Sequence, residues 1–373
     1  MKTHKLFFLA VFTVLCAASA FADSAAGKGY TTREYPWVMR STAALGMGNA
    51  YYTKSDSKYA PFYNPAGLAR IKKNWQFDLI PLAIGPNGHI INFAKDARST
   101  DTSDNSELAE LFKRHIGNEQ FMSVAMYPGF TKKNFTLGIF AASQLNAQVA
   151  NPVLPEVNAD AFADMGAVIG YAHSFLEDKL QAGVALRGQE RLGYRRSFLF
   201  SDFANDEISK ITEKGMDNIG RSFAVLIDVG VIYNFSFEEY FNPRVGLAVN
   251  NMGSRFTQTK DIPHSVTLSG GFSPSYSVIK TDVVLDIVDI TQRFHEDKDW
   301  GKRINMGLEL NFDLPVLRNF FFRGGLHQGY PSWGLGLDAT FIRIDYARYK
   351  EELGAYAGQN SDTRHVIELV IGF

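Results

Sequence analysis

Large apolar side chains alternate with small or polar ones along much of the chain. Between 222 and 235 every odd position is a large apolar residue, whereas the even positions include Ser222, Asp228 and Asn234. Because successive side chains of a strand point to opposite faces, this pattern predicts a strand with one apolar face and one wet face. Similar alternation recurs at 135–144, 180–189, 244–250, 282–287, 305–313 and 365–373.

The number and length of these strands distinguish two fold classes. Alternating strands also fit a soluble sandwich, whose apolar faces pack on each other. Several predicted strands exceed ten residues, as a tilted membrane strand requires, whereas strands of soluble domains average about five or six residues. The sequence therefore predicts an all-β fold, a transmembrane antiparallel β-barrel of about 14 strands. The predicted strands are 74–84, 119–130, 133–149, 163–175, 179–198, 222–235, 242–256, 263–273, 277–290, 303–313, 319–328, 332–339, 342–350 and 363–373.

The connections between these strands alternate between short and long. This asymmetry is typical of barrels with short periplasmic turns and long outer loops. Two long connections contain apolar residues near helical spacing, Leu108, Leu111 and Phe112 in one and Ile208 and Ile211 in the other. We therefore expect these two outer loops to be partly helical.

The N-terminus has the three-part layout of a secretory signal peptide. Lys2 and Lys5 precede an apolar run, and Ala20 and Ala22 suit cleavage after position 22. Cleavage removes Cys16, the only cysteine, so we expect a mature chain with neither disulfide nor thiol chemistry. It also removes two lysines, which changes the formal charge from −1 to −3. No basic field remains that would suggest nucleic acid.

Two short motifs follow the expected cleavage site. Gly46 and Gly48 belong to a Gly-Met-Gly-Asn-Ala stretch, and Asn64, Pro65 and Ala66 belong to a Tyr-Asn-Pro-Ala-Gly-Leu stretch. Together they resemble the N-terminal segment of the long-chain fatty-acid transporter (FadL/TodX) superfamily of outer-membrane barrels, which includes a PorV-like branch associated with secretion. In that superfamily the segment is a small hatch that plugs the barrel from the periplasmic side. The C-terminal strand, which ends on an aromatic residue, resembles the insertion signal of outer-membrane barrels.

The resemblance implies three parts, a signal peptide at 1–22, an N-terminal hatch segment at 23–73 and the β-barrel at 74–373. It implies a channel in the outer membrane of a Gram-negative bacterium for passive uptake of hydrophobic molecules such as long-chain fatty acids. The alternative is a non-enzymatic barrel component or docking partner of a secretion or surface-attachment system. The expected partners are outer-membrane lipid and a hydrophobic small-molecule ligand, or a secretion-system protein in the alternative. The barrel is expected to be a monomer.

Residues that could carry chemistry are sparse. The histidines form no His-Glu-x-x-His pair or other metal spacing, and the Gly-x-Ser-x-Gly elbow of many hydrolases is absent. Asp282 and Asp286 lie four positions apart on one strand face and imitate a catalytic carboxylate pair. Ion pairing with lumen arginines explains them more simply. The sequence predicts no enzyme, no cofactor and no metal site.

The wet strand faces supply candidates for the barrel interior. A lumen polar network is expected from Arg187, Asp228, Asp282, Asp286, Glu309 and Arg323. A ligand pocket would be favoured if apolar side chains also lie inward or on loops. The candidates for such a pocket are Phe140, Phe198, Phe200 and Phe321.

Pro81 in the first predicted strand is the candidate for a lateral opening. Proline cannot donate a ladder hydrogen bond, so we expect the wall to be weakest beside it, near the seam between the first and last strands. In the fatty-acid transporters a kink in the third strand makes this opening, but the third strand here offers only Gly138. For the wall itself, the alternation predicts that arginine at Val229 blocks assembly and that arginine at Gly230, on the wet face, is far milder.

Overall fold

Residues 34–72, 75–101, 104–200, 219–235, 241–276, 279–294, 298–314, 318–339 and 341–372 are described by the computed structural model. The expected signal peptide, the predicted loop helix around Ile208 and the C-terminal Phe373 lie outside these residues. Most of the described chain consists of antiparallel strands. They are β1 (Gln76–Pro86), β2 (Glu119–Met126), β3 (Gly129–Lys132), β4 (Phe135–Ala150), β5 (Glu156–Phe175), β6 (Leu180–Leu199), β7 (Gly220–Asn234), β8 (Arg244–Gly253), β9 (Ser265–Phe272), β10 (Ser275–Tyr276), β11 (Ile279–Ile287), β12 (Ile304–Leu314), β13 (Arg318–His327), β14 (Tyr330–Ala339), β15 (Ile342–Glu352) and β16 (Ser361–Gly372).

The strands close into one barrel, because β1 pairs with β16 and the other strands pair in chain order. Two strands of the wall are interrupted. β2 and β3 are two segments of one strand between β1 and β4, and β9 and β10 are two segments of one strand beside β11. Counting each interrupted strand once gives a closed barrel of 14 strands within the described residues. This confirms both the predicted fold class and the predicted strand number.

The wall has an apolar outer face and a polar inner face. In β7, Phe223 is 65% exposed and Ile227 and Val231 are also exposed, whereas Ala224 and Asp228 between them are buried. A closed barrel leaves no strand edge unpaired, so its outward apolar side chains can lie against lipid. Among the described helices, none combines the length and apolar character of a membrane span.

The described helices are short and lie before β1 or between β1 and β2. They are α1 (Thr42–Gly46), α2 (Gly88–Ser99), α3 (Asn105–Arg114) and two 3-10 segments, Ala60–Phe62 and Pro65–Arg70. α3 confirms the first predicted loop helix. The Asp104 carboxylate caps its N-terminus and accepts a hydrogen bond from the Ser106 amide at 2.7 Å. Its buried apolar face consists of Leu108, Leu111 and Phe112.

β5 begins at Glu156, seven residues before the predicted start at 163. Its large exposed apolar side chains are confined to its last part, from Ile169 to Phe175, and the earlier part carries polar pairs. Asp164 accepts from Arg191 of β6 at 2.6 Å, for example, and both side chains are fully buried. The outer part of β5 is therefore held by polar contacts within the protein, so it lacks the lipid-facing alternation by which sequence analysis recognises a strand.

Val229 lies near the middle of the outward apolar positions of β7, and Tyr233 lies near its end. We expect Val229→Arg to block assembly of the barrel, because a charge at mid-bilayer depth costs about 2–4 kcal/mol. Tyr233→Arg should have a much smaller effect, since the cost falls to about 0–1 kcal/mol near the interface. Heat-modifiable migration of membrane-extracted protein measures assembly. Equal severity of the two variants would contradict the assignment of this face to lipid.

Candidate functional site

Residues 34–72, called the hatch from here on, lie inside the barrel. Ala44, Met47, Tyr63 and Asn64 of the hatch are fully buried. α1 contacts β13, β14, β15 and β16, whereas the Pro65–Arg70 segment contacts β4, β5, β6 and β7. The hatch thus bridges opposite sides of the wall and fills the lumen between them.

The Gly-Met-Gly stretch allows the hatch backbone to touch the wall. A Cβ atom on Gly46 would lie 3.0 Å from Cα of Gly334, and a Cβ on Gly325 would lie 2.6 Å from the amide nitrogen of Gly48. Gly48 also has φ of +67°, a backbone conformation that favours glycine. Glycine is therefore required on both sides of this contact, in the hatch and in the strands.

The Asn64-Pro65-Ala66 turn is seated against the opposite wall. The Asn64 side-chain oxygen accepts from the Ala66 amide at 3.1 Å, and its side-chain nitrogen donates to the Val231 carbonyl at 3.3 Å. A Cβ on Gly230 would overlap the Asn64 side chain. The expectation that arginine at Gly230 would be mild is therefore wrong, because this inward position contacts the hatch rather than water.

A lysine of the hatch lies among wall carboxylates. Nζ of Lys54 is 3.3 Å from Asp282 and 3.0 Å from Glu309. Arg323 donates to Glu309 and to Asp345, at 2.6 Å in each case. Three residues of the predicted lumen network, Asp282, Glu309 and Arg323, thus surround a hatch lysine that the sequence analysis did not include.

The other three residues of the predicted network lie apart from this cluster. The Asp286 carboxylate accepts from the backbone amides of Tyr51 and Tyr52 at 2.6 and 3.1 Å. It therefore fixes a turn of the hatch. Arg187 lies 3.5 Å from Asp228 and forms a separate buried pair. The six predicted residues are thus divided among three groups.

A second hatch lysine approaches the first strand of the wall. Nζ of Lys58 is 2.9 Å from Asp78 and 3.9 Å from Glu368, and it donates to the Tyr127 carbonyl at 3.3 Å. Burial lowers the pKa of Lys58, and the neighbouring carboxylates Asp78 and Glu368 oppose that shift. The hydroxyl of Tyr59 donates to Glu368 at 2.7 Å. Lys54 and Lys58 had no periodic signal in the sequence, because the hatch is irregular.

Further buried ion pairs lie at the N-terminal end of the hatch. Glu34 accepts from Arg364 at 2.8 Å, and Arg40 donates to Glu351 at 2.7 Å. The Arg364 guanidinium lies 3.4 Å from the centre of the Phe121 ring. Sequence analysis missed these residues, although Arg364 has the same parity as the small and polar positions of the last strand.

A small cavity of about 20 Å³ lies between the hatch and the wall. Its lining is partly aromatic, with Tyr35, Trp37 and Phe62, and partly polar, with Asn250 and Arg187; the Arg187 guanidinium lies 5.1 Å from the Phe62 ring. The Trp37 indole nitrogen is buried without a hydrogen-bond partner among the described residues. In this conformation the cavity has room for about one water molecule.

The four phenylalanines considered for a ligand pocket are dispersed, and Phe140 alone is adjacent to the cavity-lining Phe62. Their ring or cation contacts are Phe140 with Phe62 at 5.4 Å, Phe198 with Tyr194 at 6.3 Å, Phe200 with Phe112 at 5.9 Å and Phe321 with the Arg323 guanidinium at 4.7 Å.

The wall is interrupted beside Pro81. On the β16 side, β1 has one bulge between Asp78 and Ile80, and its register then continues through Pro81 opposite Val370. On the other side, β1 pairs with β3 up to Asp78 and with β2 from Leu82 onward. The three residues 79–81 therefore face Tyr127 and Pro128 without a ladder. The interruption lies one strand away from the seam considered in the sequence analysis.

Two solved structures that are similar in fold to this chain are monoaromatic hydrocarbon channels. A mutant of the monoaromatic hydrocarbon channel TodX superimposes with a TM-score of 0.51 at 12% identity and covers 88% of this chain and 97% of its own. The monoaromatic hydrocarbon channel CymD gives a TM-score of 0.50 at 11% identity, with 91% of this chain and 98% of its own covered. This chain has the FadL/TodX fold.

No protein-family model matches the sequence, and no curated protein does either. The closed wall and its outward apolar face are those of a bacterial outer-membrane barrel, since a closed barrel satisfies its backbone hydrogen bonds within lipid.

Gly183 of β6 provides a test of the contact between hatch and wall. A Cβ there would lie 2.5 Å from the Ala66 amide nitrogen, so Gly183→Ala should displace the Pro65–Arg70 segment. Overpacking of this kind costs about 1–3 kcal/mol. We expect faster limited proteolysis of the hatch in folded barrels. Gly270→Ala is the matched control, because a Cβ there meets nothing within 4 Å. An equally resistant hatch in both variants would contradict the contact.

Proposed function

We propose that this barrel takes up hydrophobic molecules passively across the outer membrane, long-chain fatty acids among them, and that the hatch is its gate. One observation carries the proposal. Phe62 lines the cavity and contacts Tyr127 at the interruption of the wall, so a short displacement of these two rings would connect the cavity with the lipid.

The route is defined by ring contacts. Phe62 lines the cavity and lies 5.5 Å from Tyr127, measured between ring centres. Tyr127 lies between β2 and β3, opposite residues 79–81, and its ring is buried. The Tyr59 ring lies 5.7 Å from Tyr127 on the same side. A molecule that moves Phe62 and Tyr127 would therefore pass from the cavity to the interrupted part of the wall.

A lateral exit suits an apolar ligand for a physical reason. Transfer of apolar surface from protein into water is unfavourable, whereas transfer into the hydrocarbon of the bilayer is not. Leu79 and Ile80, which are 57% and 50% exposed on the outside of the interruption, would give the exit an apolar rim. Two prolines lie in the interruption, Pro81 on β1 and Pro128 between β2 and β3, and neither can donate a backbone hydrogen bond that would help to close the ladder.

The closed state has consequences for how ligand enters. The cavity of about 20 Å³ is too small for a hydrocarbon, so residues 35–39, which cover it, would have to move. The hydrocarbon channels named above support the substrate class by their shared fold, and the choice of fatty acids follows the resemblance of the hatch motifs.

A second candidate function rests on the same closed state. A barrel whose lumen is filled by buried ion pairs also suits a docking component of a secretion or surface-attachment system, which needs no open path. Uptake measurements separate the two candidates, because only the channel passes ligand.

Replacing both prolines at the interruption tests the exit. Pro81→Val together with Pro128→Val restores two backbone donors, which should close the ladder and lower uptake of a radiolabelled fatty acid several-fold in cells. Pro331→Val is the matched control, since Pro331 lies in the wall of β14 with a paired partner, Leu326. Heat-modifiable migration confirms equal assembly. Unchanged uptake in the double variant would rule out an exit at this place.

A further inference from the structure

The outward face of β14, β15 and β16 carries a cluster of aromatic and cationic side chains above its apolar residues. Its cations are Arg348 and Lys350, and its aromatic residues are Trp333, Tyr346 and His365. This set, called the rim patch from here on, does not face the lumen. It is therefore separate from the hatch, the cavity and the interruption of the wall.

The strand register sets the vertical order of the rim patch. Ile344 and Leu369 are paired, followed toward the long outer connections by the paired Tyr346 and Ile367, and then by the paired Arg348 and His365. Ile367 is 55% exposed. Apolar side chains thus lie deepest, Tyr346 lies one pair above Ile344, and Arg348 lies one pair higher again, level with Trp333. An amphiphile of the outer leaflet has the same order of acyl chains, sugar and charged head.

Contacts within the rim patch hold its side chains in place. The rings of Trp333 and Tyr346 lie 5.2 Å apart, and the Tyr346 hydroxyl is hydrogen-bonded to Nδ1 of His365 at 2.8 Å. Nζ of Lys350 lies 5.5 Å from the centre of the Tyr330 ring. Side chains that are ordered before binding lose less conformational entropy when a ligand arrives.

The two strong cations have no acidic partner. The cross-strand neighbours of Arg348 are Trp333 and His365, and neither Arg348 nor Lys350 forms an ion pair within the described part of the chain. The nearest acid of the same parity on the strand, Glu352, accepts hydrogen bonds from the Tyr330 hydroxyl and from loop amides. The positive charge of the rim patch is therefore left for an external anion.

A cation at the outer end of another part of the wall provides a contrast. Arg221 of β7 is also outward-facing and exposed, but it is paired with Glu190 of β6. The neighbouring strand thus provides Arg221 with a carboxylate partner within the wall. At the rim patch the strands supply two cations two residues apart on one face and no carboxylate between them.

We propose that the rim patch binds the phosphorylated sugar headgroup of an outer-leaflet saccharolipid. Arg348 and Lys350 donate charge-assisted hydrogen bonds to its phosphate, as guanidinium and ammonium groups do at other anionic lipid sites. Trp333 and Tyr346 lie against the sugar, and the deeper pair Ile344 and Leu369 lies against the acyl chains. The site concerns the membrane around the barrel and is independent of the uptake function.

The first experiment measures lipid that remains with the purified barrel. Protein extracted in mild detergent from outer membranes is analysed by native mass spectrometry for bound saccharolipid. The double variant Arg348→Gln with Lys350→Gln should retain about thirtyfold less than the parent, because it lacks both cations that attract the anionic headgroup. Arg221→Gln is the matched control and should retain the parental amount. Equal retention by the double variant and the parent would overturn the proposal.

A second experiment identifies the group that is recognised. Delipidated parent protein is mixed with purified lipid A or with the same lipid after enzymatic removal of its phosphates. Binding should require the phosphates and should survive the conservative exchange Arg348→Lys with Lys350→Arg. Equal binding of the dephosphorylated lipid would show that acyl chains alone are recognised and would overturn the proposal. Heat-modifiable migration shows that every variant is folded.

Discussion

Buried charges of the hatch that find their partners on the barrel wall are the interaction on which this structure depends. Arg40, Lys54 and Lys58 each lie within 3.0 Å of a wall carboxylate. Removing one partner of a buried pair leaves an uncompensated charge and costs about 3–5 kcal/mol. The hatch cannot leave the lumen without breaking all of these pairs. Neither the hatch nor the lumen therefore has a satisfactory structure without the other.

This constraint limits the motion that can open the barrel. Wholesale removal of the hatch would cost several buried pairs together with the close glycine contacts. Displacement of Phe62 and Tyr127 alters ring packing and breaks none of the ion pairs. Residues 35–39 carry no charged side chain, so they form no ion pair with the wall, although the Tyr35 hydroxyl donates to the Pro263 carbonyl at 3.1 Å. Local opening around the cavity is thus the motion of lowest cost.

Sequence reasoning succeeded where one physical rule acts on every residue. Lipid outside and a polar lumen inside impose period two on the wall, so the strand number and the exposed face of β7 could be predicted. The rule fails at positions where a side chain contacts other protein groups instead of lipid or water. β5 extends beyond its lipid-facing part with Asp164 and Arg191 paired to each other, and Gly230 is inward but touches Asn64.

The candidate site was only partly accessible to prediction for the same reason. The charge of Asp282 or Glu309 shows in the sequence, but its partner Lys54 lies more than 200 positions away in an irregular segment. The missing donor of Pro81 marked it in the sequence as a candidate for the opening, and that opening stays a prediction. Which neighbouring strand loses its pairing there depends on Pro128 and Tyr127, and that depends on the three-dimensional register.

A reversible lock between hatch and wall tests the central claim most directly. Thr53 of the hatch and Ser269 of β9 have side-chain oxygens 3.4 Å apart, so Thr53→Cys with Ser269→Cys can form a disulfide. Because the account opens only the part of the hatch around Phe62 and residues 35–39, the oxidised double variant should take up a labelled fatty acid at the parental rate, as both single variants should. Loss of uptake on oxidation that is regained on reduction would show that the hatch must move as a whole and would contradict the account.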